Sequence, residues 1–249
     1  MQFRALHAAD FQLVHRTFLR AFDDYEIPVH LSADELRRLL ARRGAELGLS
    51  VGAFDGEDMV AVMAVAMDTY EEIVTAYDVF TGVIPSHRGR GLAGQLFDAA
   101  LPALIECGAR RFLLEVIQSN DAAVRAYERA GFAIRRDFRC YEVDTDRVDS
   151  LEPGSGIKIV PGHFADIEEY GEWRDWMPSW QNSDNAIRRA LDEPVLLEAH
   201  VDSTPVGYAV VMLQARDVAQ LVVHDSHRRR GVGSALLRAA HDSVDNCHF

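Results

Sequence analysis

Residues 84–96, IPSHRGRGLAGQL, return as HDSHRRRGVGSAL at residues 224–236, without a gap and at a constant offset of 140 residues. A period this long signals two domains of one design, because solenoid repeats recur every 20 to 50 residues or so. Both copies keep Ser-His-Arg, a glycine at the same offset and a small residue two positions later. Both also follow an apolar run, VFTGVI (79–84) and VAQLVV (218–223). Whatever architecture the first half adopts, the second must largely repeat it.

The flanks agree with that requirement. In the first half FRAL reads as a short strand, AADFQLVHRTFLRAF has apolar residues at helical spacing, and Ser32-Ala-Asp-Glu35 forms a capping box that opens a helix reaching about Arg43. Strand-like runs follow at LSVGAF, MVAVMAVAM and IVTAYDVFTGVI, then a helix from Gly91 to about Cys107, the strand RFLLEVI, a helix from about Asn120 to Ala130, and a β-rich run FAIRRDFRCYEV. The second half repeats the order with IKIV, helices near 164–174 and 183–192, strands VLLEAHV, VGYAVVML and VAQLVV, and a helix from Gly231. The expected layout is α+β, with two mixed, mostly antiparallel sheets flanked by helices: a domain over 1–146, a Pro/Gly/Ser-rich linker over 147–156, and a domain over 157–249. Matching Gly231 to Gly91 sets Phe249 opposite Ala109, so the second copy is expected to be incomplete at its C-terminus.

The glycines of 84–96 admit two readings. Gly89, Gly91 and Gly94 fit the dinucleotide fingerprint G-x-G-x-x-G, which would make the chain an NAD(P)-binding oxidoreductase, with Glu115 near the place of its ribose-binding acid. The second copy decides against it, since Arg229 and Ser234 stand where the outer glycines belong. Both copies retain R-x-x-G-x-[GA], as Arg88, Gly91, Ala93 and as Arg228, Gly231, Gly233. Glycines at a strand-to-helix turn let backbone N–H groups face an anion, and the helix N-terminus adds partial positive charge. Such a loop, Arg88-Gly89-Arg90-Gly91-Leu92-Ala93-Gly94, suits a pyrophosphate, and the arginines either add charge or fix the loop.

A second motif stands about thirty residues on, N-x-x-A-x-x-x-Y-x-x-x-G-F, written as Asn120, Ala123, Tyr127, Gly131 and Phe132 after the strand LLEV. With both motifs in this order the chain resembles the GNAT superfamily of acyl-CoA N-acyltransferases, in a tandem two-domain form like that of mycothiol synthases. The resemblance implies acetyl-CoA as co-substrate and no metal. It nominates the backbone of Thr81, Gly82 and Val83 for the pantetheine arm, Asn120 for a ligand contact or helix cap, and Tyr127 for protonating the departing thiolate. A phenol of ordinary pKa near 10 matches a thiolate in basicity, and three- and four-residue steps keep Asn120, Ala123 and Tyr127 on one helical face. In that family the general base is often an acid on the central strands, which leaves Asp78 and Glu115 as alternatives.

Other features carry less. His224-x-x-His227 has a metal-pair spacing, but His87 recurs at the offset of His227, so loop packing is the expected role. Trp173, Trp176 and Trp180 lie in WRDWMPSWQNS, either as an acceptor-site wall or as packing. Cys107, Cys140 and Cys247 lie far apart, which speaks for a reduced, cytoplasmic setting and against a disulfide framework. The formal net charge of −13 argues against a nucleic-acid partner, and no apolar stretch nears the length of a membrane span. The expectation is an N-acetyltransferase acting on a primary amine of a small molecule or peptide, as a monomer or homodimer. A non-catalytic acyl-CoA sensor is the alternative of another class.

Overall fold

The elements follow from local chemistry that the chain spells out. Helix α2 (Ala33–Arg43) starts where Ser32 accepts from Glu35 N and the Glu35 carboxylate accepts from Ser32 N, and it ends at Gly44 with φ 75°. Left-handed backbone of that kind favours glycine. Helix α1 (Phe11–Phe22) turns Val14, Phe18 and Ala21 inward. The computed structural model describes residues 1–25, 29–191 and 194–245; Cys247 and Phe249 lie outside them.

The chain divides into two units, Met1–Asp137 and Phe138–Phe249. The first carries a five-stranded sheet in the order β1 (Gln2–Ala5), β2 (Val51–Asp55), β3 (Asp58–Tyr70), β4 (Ile73–Val83), β5 (Arg111–Leu114). All neighbours are antiparallel except β4 and β5, which run parallel. Helix α3 (Leu92–Glu106) packs Leu92, Leu96, Ala100 and Leu104 against Ala53, Ala61, Met63, Val65 and Ala76 on one face of the sheet. Helix α4 (Asp121–Arg129) follows β5, capped by Asn120 Oδ1 accepting from Ala123 N at 3.1 Å.

The second unit carries a four-stranded antiparallel sheet in the order β6 (Ile157–Pro161), β7 (Val195–Val201), β8 (Thr204–Met212), β9 (Asp217–Val223). Before it comes the short helix α5 (Thr145–Asp149), which runs into the stretch that composition marks as linker. Helices α6 (Asp184–Arg189) and α7 (Val232–Asp245) complete the unit, and α7 buries Val232, Leu236 and Ala240 against β7 and β8.

Two expectations fail. FAIRRDFRCYEV (132–143) forms no strand. Its alternation is real, but Ile134 is 74% and Tyr141 79% exposed, and a strand without a partner lacks the ladder bonds that hold it. The helix expected near 164–174 is a 3-10 segment, Asp166–Trp173, packed through Ile167 and Tyr170.

The duplication extends to backbone irregularities. In β4 the register against β3 slips at Val79, between the pairs Val65↔Asp78 and Ala64↔Phe80. In β9 it slips at Ala219, between Val211↔Val218 and Val210↔Gln220. These are β-bulges one domain period apart, and a bulge bends its strand and re-aims side chains.

Candidate active site

Beyond the first bulge, β4 has a free edge. Its pairing with β5 covers only Thr75–Asp78, so Val79 to Val83 have no ladder partner on that side among the described residues. The backbone of Thr81, Gly82 and Val83 therefore lines the opening between the two strands. Gly82 serves a second purpose: a Cβ there would stand 2.9 Å from Ala21 Cβ and 3.1 Å from the Phe22 ring, so α1 lies close only because the side chain is missing.

The loop after β4 is built on two left-handed residues, Gly89 (φ 75°) and Gly91 (φ 71°). Gly91 immediately precedes α3, and Leu92, Ala93 and Gly94 form the first helical turn with free N–H groups of the kind that bind anions. Arg88 sets the shape of this loop. Its guanidinium donates to both carboxylate oxygens of Asp24 at 2.6 Å, to Ala21 O at 2.9 Å and, through Nε, to Val83 O at 3.1 Å. Arg90 donates to Ser86 O at 3.1 Å.

The second loop repeats this wiring. Arg228 donates from Nε to Val223 O at 3.0 Å, to Asp175 Oδ1 at 2.9 Å and to Trp173 O at 3.4 Å. Arg229 takes the left-handed conformation of Gly89, with φ 61°, and Gly231 that of Gly91, with φ 81°. Gly89 is thus replaceable as a residue, whereas its conformation is kept. Gly231 lies against Gly154, and Gly233, in the first turn of α7, lies beside Val223.

In the first unit the loop and α4 meet over a cleft. Asp78, Tyr127, Ala93 and Gly94 line it together with Met63, Phe97, Phe112, Ala126, Ala130 and Phe132. Asp78 is buried, and its Oδ2 accepts from the Tyr127 hydroxyl at 3.0 Å and from Thr81 Oγ1 at 2.8 Å. Its Oδ1 is buried with no hydrogen-bond partner among the described residues. Burial pushes the Asp78 carboxyl up to about 6, with Thr81, Tyr127 and Arg43 opposing. Burial, then the neighbouring Asp78, raises Tyr127 well above the ordinary phenol range, so it stays protonated. Asn120, besides capping α4, donates to the Tyr25 hydroxyl at 3.3 Å.

Glu115 belongs to the opposite face. Ala76 packs under α3, and side chains alternate along a strand, so Tyr77 points away from α3 and Asp78 toward it. Tyr77 is raised first by burial and then by Glu115, with which it shares a hydrogen bond. Arg43 lies near both Tyr77 and the bulge, donating to Val79 O at 3.1 Å. The two carboxylates named from sequence are therefore split between the faces of the sheet.

The dinucleotide reading has no structural context: its loop follows the fourth strand of a largely antiparallel sheet, not the first strand of a βαβ unit. Where Asp78 stands in the first unit, the second has Val218. Among the described residues no group of three or more His, Cys, Asp or Glu side chains is arranged to hold a metal ion. His224 stacks edge-on to Trp173, which lies on Tyr170 at 4.4 Å; Trp180 is buried and Trp176 exposed. The partners Asp24 and Asp175 were not foreseen, because they are 64 and 53 residues from their arginines. No described helix is long and apolar enough to cross a membrane.

A model of the acetyltransferase (GNAT) family matches residues 11–132, and a model of the GNAT acetyltransferase domain matches residues 193–248. The chain is 46% identical over 56 residues to a mycothiol acetyltransferase of Corynebacterium aurimucosum, covering 22% of this chain and 18% of that protein. It is 29% identical over 121 residues to the N-alpha-acetyltransferase MAK3 of Arabidopsis thaliana, covering 47% and 64%. To streptothricin acetyltransferase of Streptomyces lavendulae it is 38% identical over 85 residues, covering 34% and 43%. The chain thus spans less than two thirds of the length of each of these relatives. Among solved structures, the GCN5-related glucosamine N-acetyltransferase region of a fungal multi-domain β-N-acetylglucosaminidase matches with a TM-score of 0.68 and 16% identity, over 98% of this chain and 34% of that one. This last likeness is one of fold.

Proposed function

The chain belongs to the GNAT acetyltransferase family, whose domain models match it twice, and from that premise we propose that its first unit transfers the acetyl group of acetyl-CoA to a primary amine of a small molecule or peptide. The observation that carries this reading is the single cleft bounded by the loop residues Ala93 and Gly94 on one side and by Tyr127 with Asp78 on the other. The loop N–H groups from Gly89 to Gly94 hold the pyrophosphate. The unpaired edge at Thr81–Val83 takes the pantetheine arm, which brings the thioester toward Tyr127.

Transfer requires a neutral amine, a stabilised oxyanion and a proton for the thiolate. Tyr127 is the group placed to supply the proton; burial and Asp78 keep it protonated through neutral pH and lift it above the phenol range that matches a thiolate, so the transfer depends on its position beside the departing sulfur. Asp78 holds the phenol at 3.0 Å and so positions it. Glu115, on the other face of the β4–β5 opening, takes a proton from the amine. Acid and base thereby flank the carbonyl from the sides of the leaving group and the nucleophile. In the second unit Val218 stands in place of Asp78, so the acid that positions the phenol in the first unit has no equivalent there.

The test is release of free CoA from acetyl-CoA across amino acids, polyamines, amino sugars, aminoglycosides and peptide N-termini. Amine-dependent release supports transfer. Tight acetyl-CoA binding with no release across the panel supports a binding module instead.

A further inference from the structure

We propose that the anion-binding turn of the second unit is filled by the chain's own backbone at Pro153–Gly154, so that the chain holds one acyl-CoA, in the first unit. The inference rests on the acetyl-CoA reading above and goes beyond it by assigning an occupant to the second loop.

The observation is a pair of apposed glycines. A Cβ on Gly231 would stand 2.3 Å from Gly154 N, 2.8 Å from Gly154 Cα and 3.2 Å from Pro153 C. Conversely, a Cβ on Gly154 would stand 2.0 Å from the Arg230 carbonyl oxygen. Real Cβ atoms do not approach so closely, so neither position admits a side chain while the segment stays seated. The first loop is open by the same measure: Gly89 and Gly94 would meet nothing within 4 Å, and Gly91 only Gln95 Nε2 at 3.9 Å. Similar wiring by Arg88 and Arg228 therefore leaves Gly91 open and its counterpart Gly231 covered.

The covering segment is anchored on both sides of Gly154. Leu151 O accepts from Arg238 on α7 at 3.2 Å, and Leu151 N donates to Val148 O. Val148 is itself buried on α5. On the other side the chain enters β6, which pairs with β7 from Ile157 onward. A phosphate must bring its oxygens within about 3 Å of the turn's N–H groups. Backbone already in contact with the peptide between Arg230 and Gly231 stands in the way of that approach where the turn begins.

Titration calorimetry of the full chain with acetyl-CoA, joined to hydrogen exchange, tests this. One site is expected, with acetyl-CoA slowing exchange at Arg88–Gly94 and leaving Arg228–Ser234 unchanged. Two sites, or new protection at Arg228–Ser234, would overturn the proposal. No binding at all removes the acetyl-CoA reading, and this inference with it. Gly154→Ala, checked for folding by circular dichroism, should unseat the segment and add a second, weaker site. A folded Gly154→Ala chain that still binds a single acetyl-CoA would also overturn it. If that variant does not fold, the wild-type stoichiometry and exchange pattern decide alone.

Discussion

The Tyr127 hydroxyl donates to Asp78 Oδ2 at 3.0 Å, joining α4 to the bulged end of β4 across the cleft behind the glycine loop. Residues 49 positions apart are tied here by one bond, and each changes the other's acidity. If Tyr127 is the acid that protonates the thiolate, Tyr127→Phe should lower kcat by about 10² or more, since positioned proton transfer contributes roughly 10²–10⁴. The acetyl-CoA Kd should stay within about threefold. Steady-state kinetics beside calorimetry measures both, and an unchanged kcat would remove Tyr127 from the mechanism.

Asp78 links the site to stability. Its carboxyl is raised from an ordinary 3.8 to about 6, so the folded state binds its proton more tightly than the unfolded state does. The associated stability is complete below pH 3.8 and is lost as pH rises through 6, at a cost of about 2–3 kcal/mol near pH 7.5. Asp78→Asn keeps an acceptor for Tyr127 and cannot ionise. It should raise Tm at pH 7.5 by several degrees and leave it nearly unchanged at pH 4, as read by calorimetric melts at the two pH values. An equal effect at both would mean that the carboxyl is not the titrating group.

Glu115 and Asp78 are separable by kinetics. With Glu115 as the base on the acceptor face, Glu115→Gln should reduce kcat/KM at pH 7 by about 10², with partial recovery as rising pH deprotonates the amine itself. A pH–rate profile of both variants checks the assignment. Recovery at high pH in Asp78→Asn and not in Glu115→Gln would reverse it.

Arg88 shapes its loop through four hydrogen bonds. Arg88→Ala should weaken acetyl-CoA binding about tenfold, near 1.4 kcal/mol. Arg228→Ala should leave it within about twofold, because the second loop takes no cofactor in this account. Calorimetry on the two variants gives the contrast, and equal losses would argue for two working loops.

Gly82 tests the packing of α1 under β4. Gly82→Val forces a Cβ to within 2.9 Å of Ala21 Cβ, and overpacking of this kind costs about 1–3 kcal/mol. Urea unfolding should show a lower midpoint with an unchanged m-value.

Much of this arrangement was legible in the chain. The repeated R-x-x-G-x-[GA] located both loops, and the period of 140 residues carried over to the bulges at Val79 and Ala219. Apolar periodicity placed the helices that bury Leu96 and Leu236. What escaped were contacts made across the fold. In the sequence Arg88 reads equally well as a phosphate ligand or a loop brace, and its bond to Asp24 makes it a brace. FAIRRDFRCYEV had the alternation of a strand, yet alternation cannot say whether a neighbouring edge is there to pair with. Gly154 looked like linker punctuation, and only the approach of Arg230 and Gly231 gives its missing side chain a reason.

The central claim is that Tyr127, in the cleft behind the first loop, drives amine-dependent cleavage of acetyl-CoA. The most direct measurement is the rate of free CoA release over the amine panel, run in parallel for the unaltered chain and Tyr127→Phe. The account predicts release with at least one amine class and its loss by about 10² in the variant. Acetyl-CoA bound tightly, yet cleaved at the same slow rate with and without every amine and in both proteins, would contradict it.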